Sequence, residues 1–384
     1  MADISHFRLQ TIVFALVSAS IANLYITQPV LPVLQSEFGT DMVVASFSVS
    51  AVILGIAVSN LPFGLLADRV PIHPIILTGG ILVAAGGLVC AVTDQIWVLI
   101  GMRFLQGLFI PSLTTCLAAY LAKTLPVEKL NVVMGSYVSA TVLGGLGGRL
   151  LGGFIHPPLH WRYAFVSASG LILIATVIAF RGLPRAPSDV RQERAAIGFG
   201  ALLGQWAFVR IFFCAAGSFA VFSSVFNYLP FRLAGAPFHF STHLTTLLYL
   251  VYVVGIFMGP TAGRLSNRFG SGATLIGGGA VLGAALVLIL LPSVPAVILG
   301  LLGVCAGFFT IHAAAVGALN RRLSGGQGRA NALYVLFYYV GGWLGITGTG
   351  LAYKQGGWSA VVAVCACLLV IPLWVGVAER RRHD

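Results

Sequence analysis

FGSGATLIGGGAVLGAALVLILLPSVPAVILGLLGVCAGFFTIHAAAVGALN, residues 269–320, runs for 52 residues without a Lys, Arg, Asp or Glu. A helix that crosses the hydrocarbon core of a bilayer needs about 20 apolar residues. This stretch is therefore twice a crossing, and Pro292 with Pro295 divides it into two. Outward from it, the rest of the chain has the same character. Of its 384 residues 58% are hydrophobic and 8% charged, where a soluble domain carries about 25% charged; mean hydropathy is +0.97. A chain of this length holds about a dozen crossings and little else. That excludes a disordered chain, a disulfide scaffold and a cytosolic enzyme. The six cysteines (Cys90, Cys116, Cys214, Cys305, Cys365, Cys367) all lie in apolar runs, so they read as small packing residues and not as metal ligands or bridges. No metal or cofactor is expected.

The sparse charges mark where the chain surfaces. Uncharged runs at 9–36, 42–67, 70–93, 163–180, 211–231, 233–263, 330–353 and 355–378 give eight spans. Residues 269–320 give two more, and 95–122 and 130–161, each with one arginine (Arg103, Arg149), complete twelve. The fold class is thus an all-α membrane protein. With the N-terminus placed inside, 17 of the 22 basic residues fall in cytoplasmic segments and three outside (Arg162, Arg232, Lys354). The positive-inside rule then puts both termini in the cytoplasm. The net charge of +12 is spread between apolar stretches and forms no soluble basic face, so no nucleic-acid partner is expected. The first span ends in Pro29 and Pro32 without a cleavage site, and is expected to be retained.

The chain also repeats itself. Gly64-Leu-Leu-Ala-Asp68-Arg69 returns as Gly263-Arg-Leu-Ser-Asn267-Arg268 at an offset of 199. Gln106-Gly107-Leu108-Phe109 returns as Ala306-Gly307-Phe308-Phe309 at 200, and Gly144, Gly145 and Trp161 return as Gly341, Gly342 and Trp358 at 197. Three matches in one order predict duplicated six-helix bundles, residues 1–181 and 206–384, joined by a polar cytoplasmic linker at 182–205. Repeats of this kind place a binding site near the midplane, opened alternately to each side.

These residues resemble the major facilitator superfamily over nearly the whole chain, and most of all its twelve-span drug:proton antiporter branch, which includes arabinose-efflux-like permeases. Gly64-x-x-x-Asp68-Arg69 is similar to the family's loop motif between spans 2 and 3, with Pro71, Ile72 and His73 where that motif continues in Gly and a basic pair. Arg103-Phe-Leu-Gln106-Gly107 is similar to the span-4 arginine motif. Gly135, Gly144, Gly148, Gly152 and Gly153 match the span-5 antiporter motif, except that Arg149 stands in place of its proline. The resemblance implies two pseudo-symmetric bundles and a secondary active transporter of the cell inner membrane, working by alternating access. Its partners would be a small-molecule substrate, the lipid bilayer and protons as coupling ion, and it would act as a monomer.

Individual residues carry open alternatives. Arg103 lies about 10 Å into span 4, where a charge costs about 2.5–3.5 kcal/mol. It either donates to span-1 carbonyls near Pro29 and Pro32, or to Asn23, or forms an anion- or proton-linked site. Arg149 could snorkel to the interface, and is expected to be structural or an entrance charge. The pocket spans of the family supply Asn23, Tyr25 and Gln28 (span 1), Arg103 and Gln106 (span 4), Asn227 and Tyr228 (span 7), and Tyr334 and Tyr338 (span 11) as substrate contacts or interhelical bonds. His312 is a structural histidine or a proton carrier, with Asp41 as the fallback. Asp68 caps span 3 or holds an inner gate, together with Gly64, Arg69, Gly263, Asn267 and Arg268. Gly144, Gly148 and Gly152 form a packing face with some hinge character. All ten acids fall in loops, tails or span edges. The chamber is therefore expected to be electropositive and to favour neutral or anionic solutes, or amphipathic drugs, over organic cations. Efflux coupled to protons is the first expectation and import or exchange of organic anions the second. A membrane-embedded enzyme would need paired acids or a metal cluster, which the spans do not offer, and a sensor would need an appended signalling domain, for which no residues are expected to remain.

Overall fold

The computed structural model describes residues 6–67, 69–184, 198–323 and 327–381. Asp68 and residues 185–197 of the expected linker lie outside the described residues. The helices in order are α1 His6–Tyr25, α2 Leu31–Glu37, α3 Met42–Leu66, α4 Ile72–Val92, α5 Ile96–Leu113, α6 Thr115–Thr124 and α7 Val127–Ile155. There follow α8 Arg162–Gly182, α9 Phe199–Leu203, α10 Trp206–Ala234, α11 Thr242–Leu248, α12 Val254–Leu288, α13 Val294–Arg321 and α14 Gln327–Arg380. Among the described residues there is no strand.

Among the described residues, ten helical stretches are long and apolar enough to cross a membrane. Two of them, Thr242–Leu288 and Gly328–Arg380, are 47 and 53 residues long, about twice a crossing. Each is broken inside by glycine: Gly270 has φ 82° and Gly357 φ 63°, values a residue with a Cβ seldom adopts. Divided there, the ten stretches make twelve crossings. Trp97, Ile174, Phe257 and Val370 are each more than half exposed, which suits helices whose outer sides meet lipid tails and whose backbone bonds are satisfied internally. Charge-to-charge reading starts span 7 at 211, yet α10 begins at Trp206. Arg210 lies within the helix because its charge is buried against an acid, described below.

Contacts divide the chain into two compact units, Met1–Thr40 with Ala51–Arg194, and Asp41–Ser50 with Ala195–Asp384. In the first, α1 packs on α7 and α8, and α4 on α5 and α8. In the second, α10 packs on α14, and α12 on α13 and α14. The glycine contacts correspond from one unit to the other. A Cβ on Gly144 would lie 2.6 Å from the Ser18 carbonyl oxygen, and one on Gly341 2.3 Å from that of Ala216. Gly148 stands against Ala22 as Gly345 stands against Ala220, and Gly80 against Thr176 as Gly279 against Leu373. Backbone-to-backbone approach of this kind maximises van der Waals contact where no hydrophobic force draws helices together. Gly152 is equally tight on Ile26 and Gly153 is buried, whereas Gly135 has open space around it.

Candidate functional site

Arg103 is fully buried on α5. α1 stops at Tyr25 ahead of the 3-10 turn Gln28–Val30, and Pro29 has no N–H to extend it. The carbonyls of its last turn are left as acceptors. Arg103 takes two of them: Nη1 donates to the Asn23 carbonyl at 2.7 Å and Nη2 to that of Leu24 at 2.8 Å. Nη1 also donates to Gln106 Oε1 at 2.7 Å, and Gln106 Nε2 donates to the Val83 carbonyl at 2.8 Å. Arg103 and Gln106 thus tie α1, α4 and α5 together. The described geometry accords with the carbonyl-bracing alternative. Asn23 donates from Nδ2 to the Ala19 carbonyl at 2.9 Å, while its Oδ1 is buried without a hydrogen-bond partner among the described residues.

Arg149 is 1% exposed and does not reach the surface. Its guanidinium carbon lies 3.8 Å from the centroid of the Tyr25 ring. Nε donates to Gln28 Oε1 at 2.6 Å and Nη1 to the Gly145 carbonyl at 2.7 Å. The glycine face of α7 brings this arginine close to the break after α1, where an aromatic face and an amide oxygen replace water. Tyr25 and Gln28, expected as pocket residues, are its partners.

In the second unit His312 Nδ1 and the Tyr334 hydroxyl share a hydrogen bond of 3.0 Å. Around this pair stands an aromatic cluster from α10, α13 and α14. Phe219 stacks on Tyr338 at 3.7 Å between centroids and Phe222 on Phe308 at 3.9 Å, and Phe308 also stacks on His312 at 5.9 Å. His312 and Tyr338 are half-buried and the phenylalanines buried. His312, Tyr334 and Tyr338 stand out in the sequence as candidates; the phenylalanines do not. The spacing of Phe219, Phe222 and Phe226 along one face of α10 was the available signal. Asn227 is fully buried, and neither end of its amide has a hydrogen-bond partner among the described residues. Tyr228 is a brace: its hydroxyl donates to the Ile346 carbonyl at 2.9 Å.

The helix ends hold the remaining charges. Glu379, expected at a span edge, is buried at 1% exposure. Arg210 Nη2 reaches its Oε1 at 2.6 Å and Arg322 Nη2 its Oε2. Asp41 caps α3, accepting the N–H groups of Val43 at 2.8 Å and Val44 at 3.1 Å, and its Oδ2 accepts from Lys354 Nζ at 2.9 Å. The Lys354 hydrogen bond, followed by those two N–H groups, holds the Asp41 carboxyl below its ordinary range despite some desolvation. The stabilisation is present at neutral pH and is lost as pH falls through that depressed value. Lys354→Gln should therefore melt below wild type at pH 7, and the gap should close below about pH 4; melts at both pH values check this. Of the gating motif, Gly64, Gly263, Asn267, Arg69 and Arg268 lie where α3 ends and within α12. Nothing crowds either glycine, and Arg69, Asn267 and Arg268 are exposed. Asp68 lies outside the described residues. Among the described residues no group of three His, Cys, Asp or Glu side chains could hold a metal ion.

Twelve crossings in two units with repeated glycine contacts define a multi-span membrane transporter. A family model described as Major Facilitator Superfamily matches residues 13–325 and 238–384, and the chain belongs to that superfamily. It is 30% identical over 381 residues to the inner membrane transport protein YnfM of Escherichia coli, covering 97% of this chain and 91% of that one. It is 25% identical over 371 residues to a chloramphenicol resistance protein of Pseudomonas aeruginosa, covering 92% and 86%. A bacterial homologue of the human lysosomal transporter Spinster, solved inward-facing and unoccupied, shares the fold with a TM-score of 0.77 at 15% identity, covering 99% of this chain and 97% of that one. The human organic anion transporter MFSD10 shares it with a TM-score of 0.73 at 17% identity, covering 97% and 100%.

Proposed function

We propose that the chain exports a small neutral or anionic amphipathic solute across the inner membrane in exchange for protons, by alternating access, as a monomer with both termini in the cytoplasm. One observation carries this reading: the aromatic cluster of the second unit encloses a polar His312–Tyr334 pair, and every Asp and Glu among the described residues lies at or beyond a helix end. Aromatic faces with few polar handles suit a ring-bearing amphipathic solute. A buried cation would lack the carboxylate that offsets its desolvation. Within the second unit the buried Asn227 amide supplies hydrogen-bonding groups, each costing about 1–3 kcal/mol while unmet, which a solute hydroxyl or amide would recover. The chloramphenicol resistance relative supports export of a neutral aromatic molecule.

Proton coupling is assigned to His312. Everted vesicles with an imposed acid-inside gradient should accumulate labelled chloramphenicol, which serves as the probe. His312→Gln leaves Tyr334 a hydrogen-bond partner but removes the titrating group, and its accumulation should fall to that of vesicles without a gradient. Undiminished accumulation would take the role from His312 and leave Asp41. Organic-anion uptake in the opposite direction would favour the importer or exchanger reading.

A further inference from the structure

The two units seat corresponding tryptophans in different ways. In the second, Trp358 lies between Gly357 and Ser359 and donates from Nε1 to the Ile289 carbonyl, just past α12, at 2.9 Å. In the first, 197 positions earlier, Trp161 lies between His160 and Arg162. It is 1% exposed, and its Nε1 donates to Oε2 of Glu37, the last residue of α2. The Thr93 carbonyl, just past α4, goes instead to Arg162 Nη2 at 2.8 Å. A backbone carbonyl is enough to seat the indole in the second unit, so the acid and the imidazole in the first serve something further.

Charged groups converge on this corner from three elements of the first unit. Arg162 Nη1, at the start of α8, lies 3.3 Å from Glu37 Oε1, and His160 Nε2, on the turn before α8, lies 3.4 Å from Glu37 Oε2. Arg162 Nη2 also pairs with Asp94, on the turn after α4, at 2.7 Å. Two carboxylates thus share one guanidinium, and a negative charge is left over while His160 is neutral. Imidazole is the side chain suited to balance it, because it changes charge between about pH 5 and 8. Against a proton on His160 stand the Arg162 guanidinium and a long bond, 3.4 Å, in which His160 Nδ1 accepts the Arg162 N–H. The two acids outweigh them, since that guanidinium is already engaged by both. The side chains of His160 and Glu37 are 43% and 29% exposed, so protons reach the pair directly from water.

We propose that this corner is a proton-binding site: His160 takes up a proton as the adjoining water turns acid, completes a balanced set of two acids and two bases, and ties the end of α2 to the start of α8. Since only the imidazolium brings the balancing charge, the added stability is present at the acid end and is lost as pH rises. α2 follows the break after α1 whose Gln28 holds Arg149, so the bound proton steadies the chain beyond that break. The site is separate from His312, from the transported solute and from the direction of transport.

The test is a set of melts of the purified full-length protein in detergent at about pH 5.5 and pH 8, which bracket the imidazole range. His160→Gln should lower the melting temperature by about 1–3 °C at the acid pH, the scale of a partly exposed ion pair in a unit of this size, and leave it unchanged at the higher one. In a Glu37→Gln background, where the amide oxygen still accepts from Trp161, His160→Gln should change neither melt. His312 is common to all these variants, so its own titration cancels in the differences. A second measurement does not depend on stability: in histidine-labelled protein the NMR resonance missing from His160→Gln should titrate between those pH values, and its midpoint should fall by about half a pH unit in Glu37→Gln. An equal loss at both pH values, a loss that persists undiminished without Glu37, or a His160 resonance that does not titrate would each overturn the proposal.

Discussion

Glu379→Ala is expected to destabilise the second unit by about 3–5 kcal/mol, the cost of removing one partner from a buried ion pair. The Glu379 side chain is 2% exposed and that of Arg210 8%. Arg322 also donates from Nη1 to the Ala207 carbonyl at 2.6 Å. One carboxylate thus ties together the start of α10, the segment after α13 and the end of α14. Without it, two guanidinium groups repel each other with little water to screen them. A unit of this size should lose roughly 6–20 °C of melting temperature, read by fluorescence-detected size exclusion after heating. The loss comes from stranded charge more than from a missing attraction. Adding Arg210→Met and Arg322→Met to Glu379→Ala should therefore restore most of it. An unchanged melt for the single variant would mean that the triad is not closed in solution.

The second large effect is steric. A Cβ on Gly148 would lie 2.1 Å from the Ala22 carbonyl oxygen and 2.7 Å from its Cα, both backbone atoms of α1 that no rotamer change can move aside. Gly148→Val should separate α1 from α7, costing at least about 1–3 kcal/mol and abolishing transport. Gly147, one residue earlier, has nothing within 4 Å. Gly147→Ala should leave transport intact and, since alanine is the better helix former, add about 0.5–1 kcal/mol. The second unit provides an internal repeat of the experiment. Gly345 meets Ala220 at 2.7–2.8 Å and Gly348 has open space, so Gly345→Val and Gly348→Ala should reproduce the contrast. If all four variants behaved alike, close approach would not be what these glycines serve.

Much of the fold is legible in the sequence because a bilayer penalises charge so heavily that the chain's few ionic residues mark its turns. Residues 269–320 give two crossings from length alone, and offsets of 197–200 recur as matched glycine contacts. The same logic misleads where a charge is buried with a partner. Arg210 looks like a boundary but lies inside α10, and Glu379 looks solvated but is enclosed, because the ion pair joining them spans 169 positions of sequence that no local pattern reveals. Arg149 likewise meets Gln28 across 121 positions. Arg103 was more readable: an arginine inside a span must find acceptors, and the proline-interrupted end of span 1 offers carbonyls. The aromatic cluster is not legible in the sequence because, in a chain with 25 phenylalanines, those facing lipid and those facing each other look the same until the helices are packed.

The proposed solute class rests on spans that hold buried arginines and an aromatic cluster while acids keep to the helix ends, and selectivity measured in proteoliposomes tests it most directly. With an imposed pH gradient, the purified protein should carry chloramphenicol, and neutral or acidic aromatic solutes should compete with it, while tetraphenylphosphonium should be neither carried nor inhibitory. Ready transport of tetraphenylphosphonium, with neutral and acidic solutes left behind, would contradict the account.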